Sequence, residues 1–322
     1  MQQVDFGRTG LKVSAACLGA GGHSRLGQTY GATAEQSIAV VKAAYDLGIT
    51  VFDTAAKYGT EPIVGAGLKG VRDKVLISTK TVMVHKDERE GFGSDELTGD
   101  ELIADVEERL RRLSTDYIDI LHLHGVGARQ YQYVLDELVP AFIKLREAGK
   151  VRFFGVTERF NIDTKHEMLK RAARDRIWDV VMVGYNFLNQ TAAAEVLPLT
   201  RENGIATLCM YAVRGGLADH ERAKRLIDDL IARGEIDPDT FDRDDPLGFL
   251  REDGRAIPIA EAAYRFCRHT PGIDIVMTGT GKVEHLRENV RSIEAPPLPA
   301  EVEERLRRIF RNVSSQSGNP LA

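Results

Sequence analysis

Ser14-Ala15-Ala16-Cys17-Leu18-Gly19-Ala20-Gly21-Gly22, followed by His23-Ser24-Arg25-Leu26-Gly27-Gln28-Thr29-Tyr30-Gly31, is the stretch on which the fold turns. A short apolar run ends in clustered glycines, which is how an open, doubly wound sheet begins when the glycines lead straight into a helix. In this chain a polar, glycine-spaced loop over residues 23–31 intervenes before helical periodicity starts at Ala34. The third glycine that would open a helix at once is therefore missing. An open sheet stays as the structural rival, and the rest of the chain decides against it.

Outward from that stretch, short β-branched runs alternate with longer segments that carry apolar residues at helical spacing. The runs that read as strands are residues 14–19, 50–53, 75–81, 117–124, 151–156, 180–185, 206–211 and 273–278. Helical spacing is strongest over 34–47, 99–113, 134–148, 192–202, 259–269 and 282–293, and a terminal amphipathic helix over 300–310 remains. Strict alternation implies parallel strands, because parallel neighbours need a crossover and crossovers are almost always right-handed. Eight such units predict a closed (β/α)8 barrel, an α/β fold that reaches the length of 322 residues as one domain over 1–322. Two stretches exceed ordinary connectors, 82–97 and 213–256, and the second, with a charged helical piece at 219–233 and then Asp237-Pro238, reads as a folded excursion.

The charge balance, 43 basic against 48 acidic residues for a net charge of -5, is interleaved along helical stretches and argues against a nucleic-acid partner. No apolar run approaches the roughly 20 residues of a membrane span, and the first fourteen residues lack the apolar centre of a signal peptide, so a soluble cytoplasmic protein is expected. Three cysteines, Cys17, Cys209 and Cys267, show neither disulfide nor zinc spacing. A monomer or weak homo-oligomer is expected.

In a βα barrel the C-terminal ends of the strands carry the chemistry. Asp53 ends the second strand in Val51-Phe52-Asp53-Thr54-Ala55-Ala56-Lys57-Tyr58-Gly59, Lys80 ends the third and His124 the fourth. A lysine at a barrel mouth needs a balancing charge, which Asp53 on the neighbouring strand can supply. A phenol titrates near pH ~10, so a tyrosine that donates a proton at neutral pH benefits from an adjacent cation such as Lys80. The bland readings are a turn-forming Asp53, a packed Tyr58 and a structural Lys80. Two rival chemistries also fit parts of the pattern. His122-Leu123-His124 puts two imidazoles on one strand face, as a metal site would, but strands five to eight end in Thr157, Asn186, Tyr211 and Thr278, which are poor zinc ligands. Lys80 as a Schiff-base nucleophile is opposed by Asp53, which would keep the ammonium charged.

These residues resemble the aldo-keto reductase family, and the likeness runs from Phe6-Gly7-Arg8-Thr9-Gly10-Leu11-Lys12-Val13-Ser14 to Asn289. Members open with such a hairpin and then carry an Asp and a Tyr five apart, a Lys, and a His at the ends of successive strands, here Asp53, Tyr58, Lys80 and His124. The resemblance implies a (β/α)8 TIM barrel with an N-terminal β-hairpin and a C-terminal helix. It implies reduction of an aldehyde or ketone by a nicotinamide cofactor, or oxidation of an alcohol or sugar, with Tyr58 as general acid/base, Lys80 and Asp53 tuning it, and His124 orienting the carbonyl. No metal is implied.

The same resemblance implies cofactor contacts at Gly21, Gly22, Asp53, Thr157, Glu158, Asn186, Tyr211, Arg214, Gly279, Thr280, Lys282, His285, Glu288 and Asn289, with Tyr211 stacked on the nicotinamide. Met182 stands where many members carry a glutamine for the carboxamide, and Ala212-Val213-Arg214 replaces the usual Ser-Pro-Leu. His122, in place of Leu or Gln, reads as a buried, hydrogen-bonded neighbour. Lys282 and Thr280 at a helix N-terminus favour a 2′-phosphate and hence NADP, with NAD possible because His285 occupies the place of a common arginine. A cofactor-binding regulatory or sensor subunit is the alternative to a working reductase.

Overall fold

The computed structural model describes residues 1–84, 96–217 and 220–319. The expected excursion at 82–97 thus has its residues 85–95 outside the described part, as does Asp219. Among the described residues there are ten strands: β1 (Gln3–Asp5), β2 (Lys12–Ser14), β3 (Ala16–Gly19), β4 (Val51–Asp53), β5 (Leu76–Thr81), β6 (Ile118–Val126), β7 (Val151–Glu158), β8 (Val180–Gly184), β9 (Ala206–Met210) and β10 (Ile275–Thr278). The last eight close in the order β10-β3-β4-β5-β6-β7-β8-β9, all pairs parallel. The pairing of Val276 with Ala16 and Met277 with Cys17 joins the last strand to the first, which the rival open sheet could not do.

Period-two alternation makes two cores. Inward side chains, among them Cys17, Val51, Leu76, Ile120, Val180 and Leu208, fill the barrel. Phe6 and Val13 of the antiparallel β1–β2 hairpin plug its floor. Arg8 in that hairpin donates to the carbonyls of Trp178 (2.9 Å) and Arg176 (2.8 Å), tying the plug to the strand bottoms. Residues of alternate phase pack outward on the helix layer.

The helices are α1 (Ala34–Asp46), α2 (Glu61–Gly67), α3 (Gly99–Leu113), α4 (Tyr131–Tyr133), α5 (Val139–Glu147), α6 (Glu167–Ala172), α7 (Thr191–Glu195), α8 (Leu197–Glu202), α9 (His220–Ala232), α10 (Ile259–Arg268), α11 (Val283–Glu294) and α12 (Ala300–Phe310). Thr33 with Gln36 and Thr98 with Glu101 form reciprocal capping boxes that start α1 and α3 where the sequence periodicity starts. Two expected helices are not continuous. Residues 134–148 open with a π turn over Val134–Leu138, in which the Val139 N–H reaches back to the Val134 carbonyl just before Pro140, a residue with no N–H to give. Residues 192–202 split at Val196 ahead of Pro198. Hydrophobic spacing runs through both breaks, and only proline chemistry makes them. The short α2 and α6 carry too few turns to show periodicity.

The long segment after β9 is folded: α9 buries Ala223, Leu226, Ile227 and Leu230, and Leu247, Phe249 and Leu250 join the same core. The chain after α12 straps it down. Glu235 Oε2 accepts from the backbone N–H groups of Ser314 (2.8 Å) and Ser315 (3.1 Å), and the Gly216 N–H donates to the Gly318 carbonyl (3.0 Å). Among the described residues no helix is long and apolar enough to cross a membrane, and no cluster of three or more His, Cys, Asp or Glu could hold a metal ion.

Candidate active site

The second βα loop is short and held at both ends, and this places Tyr58. The Thr54 N–H donates to the Ser78 carbonyl (2.8 Å), and the Thr54 and Thr60 hydroxyls share a hydrogen bond of 2.9 Å. Between them a single 3-10 turn, Ala56–Tyr58, is closed by Gly59. The Tyr58 ring then lies against the chain just past β3, where a Cβ on Gly21 would come within 2.4 Å of it. The glycine cluster that suggested a doubly wound sheet is therefore clearance for this ring.

Register brings the charged side chains together. Asp53 pairs across the sheet with Ser78, two residues before Lys80. Lys80 Nζ donates to both oxygens of Asp53 (2.7 and 2.6 Å) and to the Thr54 carbonyl (2.8 Å), and the Ser78 hydroxyl donates to Asp53 (2.8 Å), with both charged groups fully buried. Burial alone would strip the charge from Lys80, but Asp53, followed by Tyr58, holds its pKa above the ordinary value. Lys80 Nζ sits 5.1 Å from the centre of the Tyr58 ring. Its charge lowers the phenol pKa, as the sequence reading expects. Burial of the hydroxyl outweighs it, however, and the net direction is upward.

His124 completes the group: its Nε2 lies 3.5 Å from the Tyr58 hydroxyl and the two rings meet edge to face. Burial first, then the charges of Lys80 and Lys57, push its pKa well below the usual value, so the imidazole is neutral at working pH. His122, next to Lys80 in the barrel interior, is buried as expected, and its hydrogen bonding is marginal: neither ring nitrogen has a partner of good geometry, and the Val156 backbone is the one group that acts on it as a hydrogen-bond partner. Its ring occupies the space that a side chain at Gly155 would fill, where a Cβ would meet it at 2.2 Å, so the site selects for shape rather than for polarity.

Burial and Lys80 also hold His122 well below the ordinary imidazole pKa. A histidine that is neutral in the folded state but protonates in the unfolded chain makes stability fall as pH drops below the unfolded value of about 6.5, by up to roughly 1.4 kcal/mol per pH unit. His122→Leu should therefore narrow the stability gap between pH 7.5 and pH 5 by about 2 kcal/mol, measured by urea unfolding at both pH values. An unchanged gap would contradict a neutral buried His122.

Two connected cavities open at this end of the barrel, sharing Tyr58, Met182, Met210, Tyr211 and Arg214. The smaller, about 280 Å³, lies over His124 and the ends of β5 to β7. The larger, about 830 Å³, runs from Gly21 and Gly22 past Asp53 to the start of α11, where Gly279, Thr280, His285, Glu288 and Asn289 line it. Thr157 and Glu158 line the smaller cavity. The Glu158 carboxylate itself points away, held by His166 Nδ1 (2.8 Å) and the Gly184 N–H (2.7 Å). Asn186 lines neither cavity: its Nδ2 donates to the carbonyls of Tyr211 (3.2 Å) and Ser317 (3.0 Å), pinning the C-terminal strap. Lys282 is exposed beside the larger cavity as the residue preceding α11. Tyr211 adopts a positive φ of 70°, and its ring is covered by the Arg214 guanidinium at 3.7 Å. Sequence reasoning missed Lys57, Gln130, Arg159 and Asn161 of the smaller cavity, because loop residues carry no periodicity that marks the way they face.

Comparison with known proteins agrees with this geometry. L-galactose dehydrogenase of Arabidopsis thaliana is 32% identical over 219 residues, which span 66% of this chain and 65% of that protein, just short of two thirds of its length. D-threo-aldose 1-dehydrogenase of a Pseudomonas species is 28% identical over 313 residues, 89% of this chain and 92% of the relative. Among solved structures, an aldo/keto reductase from Klebsiella pneumoniae in complex with NADP and acetate matches with a TM-score of 0.65 and 26% identity, over 95% of this chain and 94% of that one. The model of the Aldo/keto reductase family matches residues 18–311, from within β3 to just past α12. A match that takes in the whole circuit of the barrel leaves no part of the site outside it, and this chain belongs to the aldo/keto reductase family of oxidoreductases.

Proposed function

We propose that this enzyme interconverts a small carbonyl compound and its alcohol with NADP(H), Tyr58 acting as general acid in reduction and general base in oxidation. The observation that carries the reading is the Tyr58 hydroxyl, which sits where the two cavities meet, 3.5 Å from His124 and backed by the Lys80–Asp53 pair. The cofactor fits the residues present: the larger cavity is floored by glycine backbone, ends at the N-terminus of α11, and holds the buried, unpartnered Nε of Arg214 at its edge. When bound, the nicotinamide supplies the hydride that adds to the carbonyl carbon.

The rest falls to the chain's own groups. Tyr58 gives its hydroxyl proton to the carbonyl oxygen and recovers one from solvent, so that its charge is restored each turnover. Lys80 stabilises the phenolate left in between, and Asp53 keeps Lys80 charged. Neutral His124 can donate a hydrogen bond to the same oxygen without competing as an acid. The names of two relatives, an L-galactose dehydrogenase and a D-threo-aldose 1-dehydrogenase, favour a sugar oxidised at its anomeric carbon as one substrate class. The excursion over 213–256 contributes Val213, Arg214, Gly215 and Arg222 to the larger cavity, which suits a segment that folds over the cofactor. Nucleotide absorbance followed with a panel of aldehydes, and in reverse with aldoses, tests the reading. Tight nucleotide binding with no turnover of any of them would instead favour a sensor.

For the cofactor itself, Thr280 and Lys282 stand at the start of α11, where backbone N–H groups and the helix dipole already favour phosphate. NADPH should be preferred over NADH by roughly tenfold to a hundredfold, about 1.4 to 2.8 kcal/mol, and Lys282→Ala should remove most of that difference. Michaelis constants for both nucleotides, in the parent and the variant, check it. Equal or better use of NADH by the parent overturns the assignment.

A further inference from the structure

We infer that Phe160 is a positioning residue for the reaction: held by the buried Glu158–His166 pair, it sets the ring of Tyr211, against which the nicotinamide lies. This rests on the oxidoreductase reading above and deepens it. Hydride transfer to a carbonyl held at the Tyr58 hydroxyl needs the nicotinamide where the two cavities meet. Of the described residues that both cavities share, Tyr211 is the one flat ring besides Tyr58 itself. Its backbone has a φ of 70°, a left-handed conformation that an aromatic residue keeps only when its surroundings impose it. Asn186 supplies part of that restraint, its Nδ2 donating to the Tyr211 carbonyl at 3.2 Å. The ring itself meets the Arg214 guanidinium at 3.7 Å and Phe160, whose ring centre stands 5.3 Å away at 87°. That is the edge-to-face arrangement that the charge distribution of aromatic rings favours, so it fixes an angle as well as a distance.

Phe160 is held more firmly than its place in a loop requires. Arg159 and Asn161 on either side of it line the smaller cavity, while Phe160 is fully buried and lines neither cavity. The His166 ring stacks on it at 5.2 Å and 10°. His166 Nδ1 is in turn bonded to Glu158 Oε1 (3.0 Å) and Oε2 (2.8 Å), and Oε1 also accepts the Gly184 N–H at 2.7 Å. Gly184 leaves the room that Phe160 fills, since a Cβ there would stand 2.1 Å from the ring. Carboxylate, imidazole, glycine and phenyl ring thus form one buried cluster that touches Tyr211 through Phe160. Burying an acid and an imidazole costs free energy, and the proton transfer at Tyr58 has no use for this pair. Fixing Phe160 is the use to which its contacts point.

Calorimetry on the full chain reads this placement without turnover. Phe160→Leu removes the ring and should weaken NADPH binding about threefold to tenfold, because Tyr211 is no longer set for the nicotinamide before it arrives. Adenosine 2′,5′-bisphosphate, which carries the adenosine phosphates but no nicotinamide, should keep its affinity within about twofold, whereas a general loss of packing would weaken both nucleotides alike. In turnover, kcat should fall about fivefold or more with the KM for the carbonyl compound little changed, and the primary isotope effect from 4-deuterated NADPH should become more strongly dependent on temperature, since the reacting atoms are no longer held at one distance. Gly184→Ala keeps the Phe160 ring but displaces it, and should give the same signature if the leucine variant does not fold. Both nucleotides weakened by the same factor, or an unchanged NADPH affinity with an unchanged isotope effect, would overturn the assignment and leave the oxidoreductase reading standing. A parent protein that binds NADPH but turns over no carbonyl compound would count against that reading instead, and the nucleotide pair would still decide the role of Phe160. A parent that does not bind NADPH would overturn both.

Discussion

Tyr58→Phe is expected to lower turnover by a hundredfold or more while leaving nucleotide affinity within a few-fold. The substitution removes one oxygen and keeps the ring, so the close contact with Gly21 and the path of the loop survive. The hydrogen bond it deletes is a long one, 3.5 Å to His124, and contributes little to stability. What is lost is the proton for the carbonyl oxygen, and general acid catalysis by a positioned side chain contributes about 10²–10⁴ in rate. Steady-state kinetics together with nucleotide binding, measured by fluorescence, separates the two effects. Residual activity above about a tenth of the parent level would mean that the proton comes from elsewhere, with His124 the first group to examine.

Lys80→Met should damage both activity and stability, and the pH dependence tells the two apart. In the parent, the buried Asp53 carboxylate is held by Lys80 at 2.6 and 2.7 Å and by the Ser78 hydroxyl. Without the ammonium only the hydroxyl remains, and a buried charge left without its partner costs about 3–5 kcal/mol. Burial already acts to raise the Asp53 pKa, and Lys80 is the main force opposing it. The net direction is already upward with Lys80 in place, and removing Lys80 sends the folded-state pKa further above its unfolded value. The penalty should therefore be full at neutral pH and ease as pH falls through the raised pKa, where the acid form no longer needs a partner. Denaturant unfolding between pH 7 and pH 4 checks this, and Asp53→Asn in the Lys80→Met background should restore part of the loss at neutral pH. Tyr58 meanwhile loses the cation that offsets its burial, so the limb of the rate profile that reports the phenol should move to higher pH. A stability penalty with an unchanged pH–rate profile would reduce Lys80 to a structural partner of Asp53.

The parts of the molecule that follow from local chemistry were legible in the chain. Parallel strands with helical crossovers are written in two spacings, and the capping threonines Thr33 and Thr98 mark where α1 and α3 begin. Asp53, Lys80 and His124 stand at strand ends, and in a closed barrel strand ends converge, so these three and Tyr58 could be joined before any coordinates. The breaks at Val134–Leu138 and at Val196 were hidden, because apolar spacing survives a π turn and prolines act on the backbone beneath it.

Other features depended on which surfaces meet. Glu158 read as a cofactor contact, yet its carboxylate faces His166, which lies eight residues further on in a loop with no periodicity. Asn186 read the same way and turned out to anchor Ser317, 131 residues distant, a pairing that no local pattern encodes. His122 read as hydrogen-bonded, and its bond to the Val156 backbone is marginal, while the vacant side of Gly155 on the neighbouring strand sets its place. The balance between burial and Lys80 at Tyr58 is likewise a matter of surroundings, because desolvation has no sequence signature until the loops close over the hydroxyl. Short-range periodicity and strand-end position determined the barrel and the residues proposed as catalytic. Long-range packing alone decided which polar groups face the cavities and which are consumed inside the protein, since a polar atom's partner is chosen by the fold and not by its neighbours along the chain.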